Sequence, residues 1–212
     1  MNLKNMIAGT LIGIVSFFPV KAESQVNGNI KYLQTAEKES VLGSYVEAKA
    51  LYKLPGNING FSFVDFYKNE RGYFGKTNLT KSLKGGLSAK VQNIYVNEPF
   101  TEAYLGFNYR IGEKDKYSIS VDVLPVVINS EKDWKQNQRA DYSVRANLPY
   151  DMTISNFGSW KFERLENPEW TFGELNITKH VGEVNFGYSG ALNSDGDAAP
   201  TLEHRVSIGV NF

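Results

Sequence analysis

The sequence predicts an all-β protein, a transmembrane antiparallel up-and-down β-barrel of about twelve strands, within a range of roughly 10–14. Apolar and polar residues alternate along most of the chain, which is the period of a strand with two unlike faces. Clusters of Gly, Pro, Asn and Asp interrupt this alternation at intervals of about one strand length. After the N-terminus no segment is long and apolar enough for a membrane helix, whereas barrel strands give only a weak hydropathy signal.

The final strand, 202–212, shows the alternation most clearly. Its apolar face consists of Leu202, Val206, Ile208, Val210 and Phe212, and its polar face of Glu203, Arg205, Ser207, Gly209 and Asn211. An alternating last strand that ends on an aromatic residue resembles the C-terminal assembly signal of bacterial outer-membrane barrels. The resemblance implies a Gram-negative outer-membrane location, contact with outer-membrane lipid, and recognition of 202–212 by the barrel-assembly machinery.

The N-terminus predicts export. Lys4 precedes an apolar run over 6–20, and Val20-Lys21-Ala22 offers a small-residue cleavage site. The alternative is a membrane anchor, but the run is shorter than the ~20 apolar residues that a spanning helix needs. We therefore predict a cleaved signal peptide over 1–22 and a barrel over 23–212.

Composition removes several functional classes. The chain has no Cys, so disulfide, iron–sulfur and thiolate chemistry are excluded. Lys+Arg and Asp+Glu number 23 each, and removal of Lys4 and Lys21 with the signal peptide leaves a slight acidic excess. This balance argues against a nucleic-acid partner, which would favour a basic surface. No cofactor and no metal are expected.

Strands are predicted near 26–35, 44–54, 59–68, 73–83, 86–96, 101–111, 117–128, 139–149, 152–163, 169–179, 183–192 and 202–212. In 170–179 the apolar phase slips from Trp170 and Phe172 to Leu175 and Ile177, which predicts a bulge near Gly173. An even strand number places both ends of the barrel at the periplasmic rim, with short turns at 55–59, 84–85, 112–116, 149–151 and 179–182. The longest connections, 130–138 and 193–200, then lie at the outer rim.

The apolar faces are predicted to meet lipid, with an aromatic girdle at each rim. The periplasmic girdle would contain Tyr52, Tyr109, Tyr117, Tyr150 and Phe212, and the outer girdle Tyr73, Tyr95, Tyr142, Trp160, Phe162, Trp170 and Tyr188. The alternative is a secreted, soluble barrel with these aromatics in its core. The membrane barrel is favoured because the polar residues occupy the smaller, inward side.

The polar faces are predicted to line the lumen and the path of solutes. The candidate residues are Glu47, Lys49, Lys76, Lys90, Glu102, Arg110, Asp122, Asp141, Arg145, Glu183, Glu203 and Arg205, with Lys31 and Lys161 on the same faces. Asp65 remains unassigned because it shares a face with Phe61 and Phe63. An unpaired buried charge is costly, so these groups either form salt bridges that close the lumen or line a wet, narrow path.

Two families of small channels share features with this chain. Its strand number and length resemble those of the porins for acidic oligosaccharides, of the oligogalacturonate and sialic-acid type. Gly60-Phe61-Ser62-Phe63-Val64-Asp65-Phe66-Tyr67 resembles the early GF-x-D-F strand of the nucleoside-specific channels, which are also twelve-stranded. The first family implies a basic lumen for sugar acids, whereas the nearly balanced charges predicted here favour small polar or neutral solutes. No binding residues are transferred from either family.

A lipid-modifying barrel enzyme is a second class, because outer-membrane lipases and lipid A deacylases use Ser and His on the lipid-facing surface. The only histidines are His180 and His204, and the deacylase pattern would require Ser where Val206 stands. Ser189 and Ser207 are predicted to face inward, out of reach of His204. We assign no catalytic residue and predict that the protein is not an enzyme.

A structural or adhesive barrel with a plugged lumen is the third class. Its contacts would come from 130–138, where Trp134 is the candidate contact residue. The segment 193–197 resembles a calcium-binding loop but lacks the downstream Glu of that motif. Because the outer connections are short for an adhesive surface, the sequence favours a porin-like channel for passive diffusion of small hydrophilic solutes.

Overall fold

The computed structural model describes residues 26–35, 44–67, 72–97, 102–113, 115–128, 138–163, 166–193 and 200–212. Twelve strands account for nearly all of them: β1 (Asn27–Thr35), β2 (Tyr45–Leu54), β3 (Ile58–Tyr67), β4 (Tyr73–Ser82), β5 (Leu87–Val96), β6 (Glu102–Glu113), β7 (Tyr117–Ile128), β8 (Gln138–Leu148), β9 (Met152–Glu163), β10 (Glu166–Val181), β11 (Val184–Asn193) and β12 (Thr201–Asn211). In this part of the chain no helix is long and apolar enough to cross a membrane.

Each strand pairs antiparallel with its sequence neighbours, and β1 pairs with β12 to close the barrel. At the seam, the backbone amide of Gly28 donates to the carbonyl oxygen of Phe212 at 2.8 Å, and the amide of Phe212 donates back at 3.0 Å. The Phe212 ring covers Gly28, and a side-chain carbon at position 28 would lie 2.2 Å from it. The predicted fold class and strand number are confirmed, and most predicted strand ends lie within two residues of those observed.

The two rims differ in their connections. Short turns at 55–57, 83–86, 115–116, 149–151 and 182–183 lie at one rim, which we call the hairpin rim, together with the start of β1 and the end of β12. Several turn residues have positive φ, among them Gly85, Gly86, Tyr150 and Asp151, as tight hairpins require. The opposite rim is called the loop rim. The segments 1–22, 130–137 with Trp134, and 194–199 lie outside the described residues.

The outer wall is apolar, as predicted. Leu105, Val144 and Ile208 are 37%, 40% and 49% exposed, although all three lie in the middle of strands. The strand register places the predicted girdle aromatics of the strands on this same outer side. Two of them, Tyr142 and Trp170, pack over Gly158, where a side-chain carbon would lie 2.6 Å from each ring. An apolar outer surface of this extent is the feature that separates a membrane barrel from a soluble one.

The alternation is interrupted by two bulges. One lies between Trp170 and Phe172 on β10, close to the predicted position at Gly173. It turns Phe172 inward, so the expectation that Phe172 shares the outer face of Trp170 is wrong. The second lies on β7, where the pairing of β6 with β7 shifts between Leu105 and Phe107. Bulges add one residue to a strand and therefore reverse the face of everything beyond them.

Candidate functional site

Side chains from strands that are not neighbours meet inside the barrel, which identifies the inward face directly. Lys76 on β4 contacts Asp141 on β8, with 2.5 Å between Nζ and Oδ2. Arg205 on β12 reaches Tyr45 on β2, with Nη1 donating to the phenol oxygen at 3.2 Å. Such contacts are available only through the lumen. The polar faces of the strands therefore point towards the barrel axis.

The hairpin half of the lumen is a polar vestibule. It has a water-accessible volume of about 820 Å³ and opens at the hairpin rim. Its wall includes Asn59, Thr80, Ser88, Asn108, Ser118 and Asn147, together with Arg110 and Arg145. Both arginines are exposed. Among the described residues neither arginine has a carboxylate within salt-bridge distance, so their charges face the water of the vestibule.

Above the vestibule lies a layer of ion pairs, and Arg205 is the centre of its first cluster. The guanidinium donates from Nη2 to Glu203 Oε2 at 2.6 Å and from Nη1 to Glu174 Oε2 at 3.1 Å. Arg205 and Glu203 are each 2% exposed. The central carbon of the same guanidinium lies over the ring of Tyr45, 5.5 Å from the ring centroid. Three strands, β2, β10 and β12, are thus joined through one buried cation.

Asp141 is the centre of the second cluster. Its Oδ2 accepts from Lys76 Nζ at 2.5 Å and from Gln92 Nε2 at 3.0 Å, and its Oδ1 accepts from Arg139 Nε at 2.6 Å. Arg139 also donates to the hydroxyl of Ser159 at 2.6 Å. Two cations around one buried carboxylate leave this cluster with net positive charge.

Two further ion pairs complete the layer. Lys90 binds Asp122, whose second oxygen accepts from Asn108 Nδ2 at 2.7 Å. Lys49 Nζ lies 2.7 Å from Glu47 Oε2, and the Lys49 side chain keeps 34% of its surface exposed. The layer is therefore a constriction made of paired charges, with Lys49 as its most exposed cation.

The structure brings most of the sequence candidates to the lumen wall. Strand register and side-chain contacts show that the following residues lie on the inner face of the barrel: Lys31, Glu47, Lys49, Lys76, Lys90, Glu102, Arg110, Asp122, Asp141, Arg145, Lys161, Glu203 and Arg205. Glu183 instead lies in the exposed turn between β10 and β11, because β10 continues to Val181. The unassigned Asp65 faces inward opposite Glu47 and is 9% exposed. That these groups form a path for solutes stays a prediction.

Sequence reasoning missed two members of the ion-pair layer. Arg139 lies on the same face of β8 as Asp141 and Arg145. Continuing their alternation by two residues towards the N-terminus would have predicted its inward position. Glu174 lies just beyond the β10 bulge, where the phase of the strand could not be read from the sequence. The role of Gln92 has no sequence signal, because its partner is on a distant strand.

The loop half of the lumen is more apolar than predicted. Ile94, Tyr104, Leu124 and Val127 form a buried cluster, and Phe74 packs against it. These residues come from inward positions of β4 to β7. The rule of apolar outside and polar inside therefore holds for the wall as a whole but fails at this end of the lumen.

The two histidines occupy different surfaces. His204 lies on the outer wall, where its ring stacks on Tyr188 and its Nδ1 is 2.5 Å from the phenol oxygen. Ser189 and Ser207 face inward, so the described residues do not assemble a Ser–His pair at His204. His180 faces the lumen near the hairpin rim, with Nε2 3.4 Å from the hydroxyl of Thr153. Within the described ranges no three acidic or His side chains are grouped to hold a metal ion.

Several solved structures share this architecture. A KdgM porin aligns with a TM-score of 0.56 at 7% identity, covering 88% of this chain and 98% of that one. A KdgM porin in complex with disordered oligogalacturonate aligns with a TM-score of 0.53 at 8% identity over 88% and 98% of the two chains. The chain shares its fold with a porin. The COG4313 outer membrane channel from Pseudomonas putida F1 aligns with a TM-score of 0.44 at 11% identity over 88% and 95% of the chains.

Comparison of the sequence alone adds no relative. No family model matches the chain, and no curated protein matches it. At 7% identity the likeness to the KdgM porin extends to the course of the backbone only. The chemistry of the lumen must therefore be argued from the side chains of this chain itself.

Proposed function

We propose that this protein is a porin-like channel of the bacterial outer membrane, through which small hydrophilic solutes diffuse passively. The proposal includes export with removal of 1–22 and recognition of 202–212 by the barrel-assembly machinery. The observation that carries it is the contrast between the two sides of one closed wall. The outer side exposes apolar residues, and the inner side holds a polar vestibule that leads to a charged constriction.

The constriction determines what kind of channel this would be. Asp122, Asp141, Glu203 and Arg205 are each less than a tenth exposed, so the ion pairs leave little free cross-section at their level. Solutes would pass beside them or by displacing long Lys and Arg side chains. A twelve-stranded barrel lies between filled eight-stranded barrels and open sixteen-stranded ones, so we expect a small conductance.

A structural barrel with a plugged lumen is the second candidate. The same buried ion pairs favour it, because a lumen closed by satisfied salt bridges would stabilise the wall without conducting. The two candidates make opposite predictions for ion flow. Conductance of the folded protein in planar bilayers separates them.

The experiment uses two neighbouring positions on β8 that face opposite sides of the wall. Ser143 faces inward and is exposed to the lumen, whereas Val144 faces outward. We expect discrete openings for the natural protein, a smaller conductance for Ser143→Trp, and an unchanged conductance for Val144→Trp. Absence of openings from folded protein would overturn the channel in favour of the plugged barrel. An equal effect of both substitutions would show that current does not flow through the lumen.

A further inference from the structure

One part of the inner wall is unexpectedly apolar and still reached by water. Leu51 faces inward on β2, directly opposite Phe61 on β3, and is 55% exposed. Phe63 lies two residues further along β3 on the same face, and Phe74 lies beyond it on β4. We call Leu51, Phe61, Phe63 and Phe74 the inner apolar strip. Exposed apolar patches on an otherwise polar surface commonly mark binding sites.

The rings of the strip form a continuous track. The ring centroids of Phe61 and Phe63 are 6.0 Å apart, and those of Phe63 and Phe74 are 5.7 Å apart. Phe74 is fixed by the buried cluster at the loop half, whereas Phe61 and Phe63 remain partly exposed. Asn59, two residues before Phe61, lines the vestibule. The track therefore runs from the vestibule towards the loop rim.

The opposite wall presents a matching surface. Phe157 on β9 faces inward, is 36% exposed, and lies with its ring centroid 5.5 Å from that of Phe172. In the ring of twelve strands β9 is six places from β3, which is half the circumference. The lumen thus has exposed aromatic rings on two facing walls at the level of the constriction.

A cation accompanies the strip. Lys49 is the cross-strand partner of Phe63 on the inner face and keeps 34% of its side chain exposed. Its ammonium has three donors, of which one is directed to Glu47. Arg110 and Arg145, which form no salt bridge within the described part of the chain, add positive charge on the approach through the vestibule. A flat apolar ring with one negative charge would complement this combination of surface and field.

We propose that the inner apolar strip is a binding site for small aromatic carboxylates, whose ring stacks on Phe61 and Phe63 while the carboxylate meets Lys49. The proposal rests on the channel function and names its solute class. Aromatic stacking selects for the ring, and the ammonium selects for the charge. Neutral sugars and aliphatic acids would each satisfy only half of the site.

Three probes separate the two halves of the site: benzoate, acetate as the charge without the ring, and benzyl alcohol as the ring without the charge. Equilibrium binding to the folded, full-length barrel in detergent needs no ion flow, so it can fail independently of the bilayer experiment. We expect benzoate to bind more tightly than either other probe. Equal binding of benzoate and acetate would overturn the proposal even if the channel conducts.

Phe63→Leu removes the ring at the centre of the strip, and Phe66→Leu is the matched control, because Phe66 lies on the outer face of the same strand. Phe63→Leu is expected to weaken benzoate binding about fivefold without changing acetate binding, while Phe66→Leu changes neither. Lys49→Gln should weaken benzoate binding but not benzyl alcohol binding. Equal effects of Phe63→Leu and Phe66→Leu on benzoate would contradict a lumen site. If Phe63→Leu does not refold into the barrel, Phe61→Leu removes the other ring of the proposed stack and tests the same contact.

Discussion

Replacement of Arg205 by Met is the sharpest test of the buried ion-pair layer. Arg205 is 2% exposed and donates to Glu203 at 2.6 Å, to Glu174 at 3.1 Å and to the Tyr45 hydroxyl at 3.2 Å. Met preserves much of the apolar stem but removes the charge. Glu174 and Glu203 then lose their guanidinium partner in a site with little access to water.

The expected loss is about 3–5 kcal/mol of the free energy of unfolding, because that is the usual cost of removing one partner of a buried pair. Two charge-assisted hydrogen bonds at ~1.5–3 kcal/mol each give a similar range of about 3–6 kcal/mol. Replacing all three charged groups, with Arg205→Met, Glu174→Gln and Glu203→Gln together, should restore most of this stability, since no uncompensated charge remains. The pattern to look for is therefore a damaging single substitution and a mild triple one.

Urea unfolding of the refolded barrel in detergent micelles or lipid vesicles measures both changes. Lys116→Met is the control, because Lys116 forms a pair with Glu113 at 2.5 Å on the exposed hairpin rim. Exposed pairs contribute ~0–1 kcal/mol, so this variant should be nearly as stable as the natural protein. A loss below about 1 kcal/mol for Arg205→Met would refute the reasoning. It would show that the cluster is hydrated and that the lumen is open at its level.

Three further outcomes follow from the two faces of the wall. Val121→Arg, which puts a charge on the lipid side of β7, should cost about 2–4 kcal/mol of stability in vesicles, whereas Ser120→Arg on the lumen side should cost much less; equal costs would contradict the membrane orientation. Arg145→Glu should shift the reversal potential of the channel in a salt gradient towards cation preference. An unchanged reversal potential would mean that permeating ions do not move past position 145 in the vestibule. Gly158→Val should destabilise the barrel by about 1–3 kcal/mol, because the new side chain would displace the Trp170 ring. Tryptophan fluorescence would report the displaced ring and urea unfolding the loss of stability; an unchanged unfolding midpoint would contradict the prediction.

The strands were readable from the sequence because each one separates two solvents. In β12 the two-residue period places Glu203 and Arg205 on one face of the strand and Val206 and Ile208 on the other. Other regular secondary structures do not separate polar and apolar side chains with this period. Turn residues with positive φ then fixed where strands end, as at Gly85. Prediction failed where the alternation was broken. The β10 bulge turns Phe172 to the inner face, and it also meant that the inward position of Glu174 could not be read from the sequence.

The sequence by itself determined the barrel, an approximate number of strands, its apolar outer surface and the inward position of most charged residues, because these properties depend on local alternation and turn chemistry. Only the tertiary structure decided which charges pair across the lumen, as Lys76 does with Asp141. It also decided that Leu51, Phe61 and Phe63 share one wet inner surface. The physical reason is closure: contacts across the lumen join residues far apart in the chain, and their distances depend on the curvature and register of all twelve strands together.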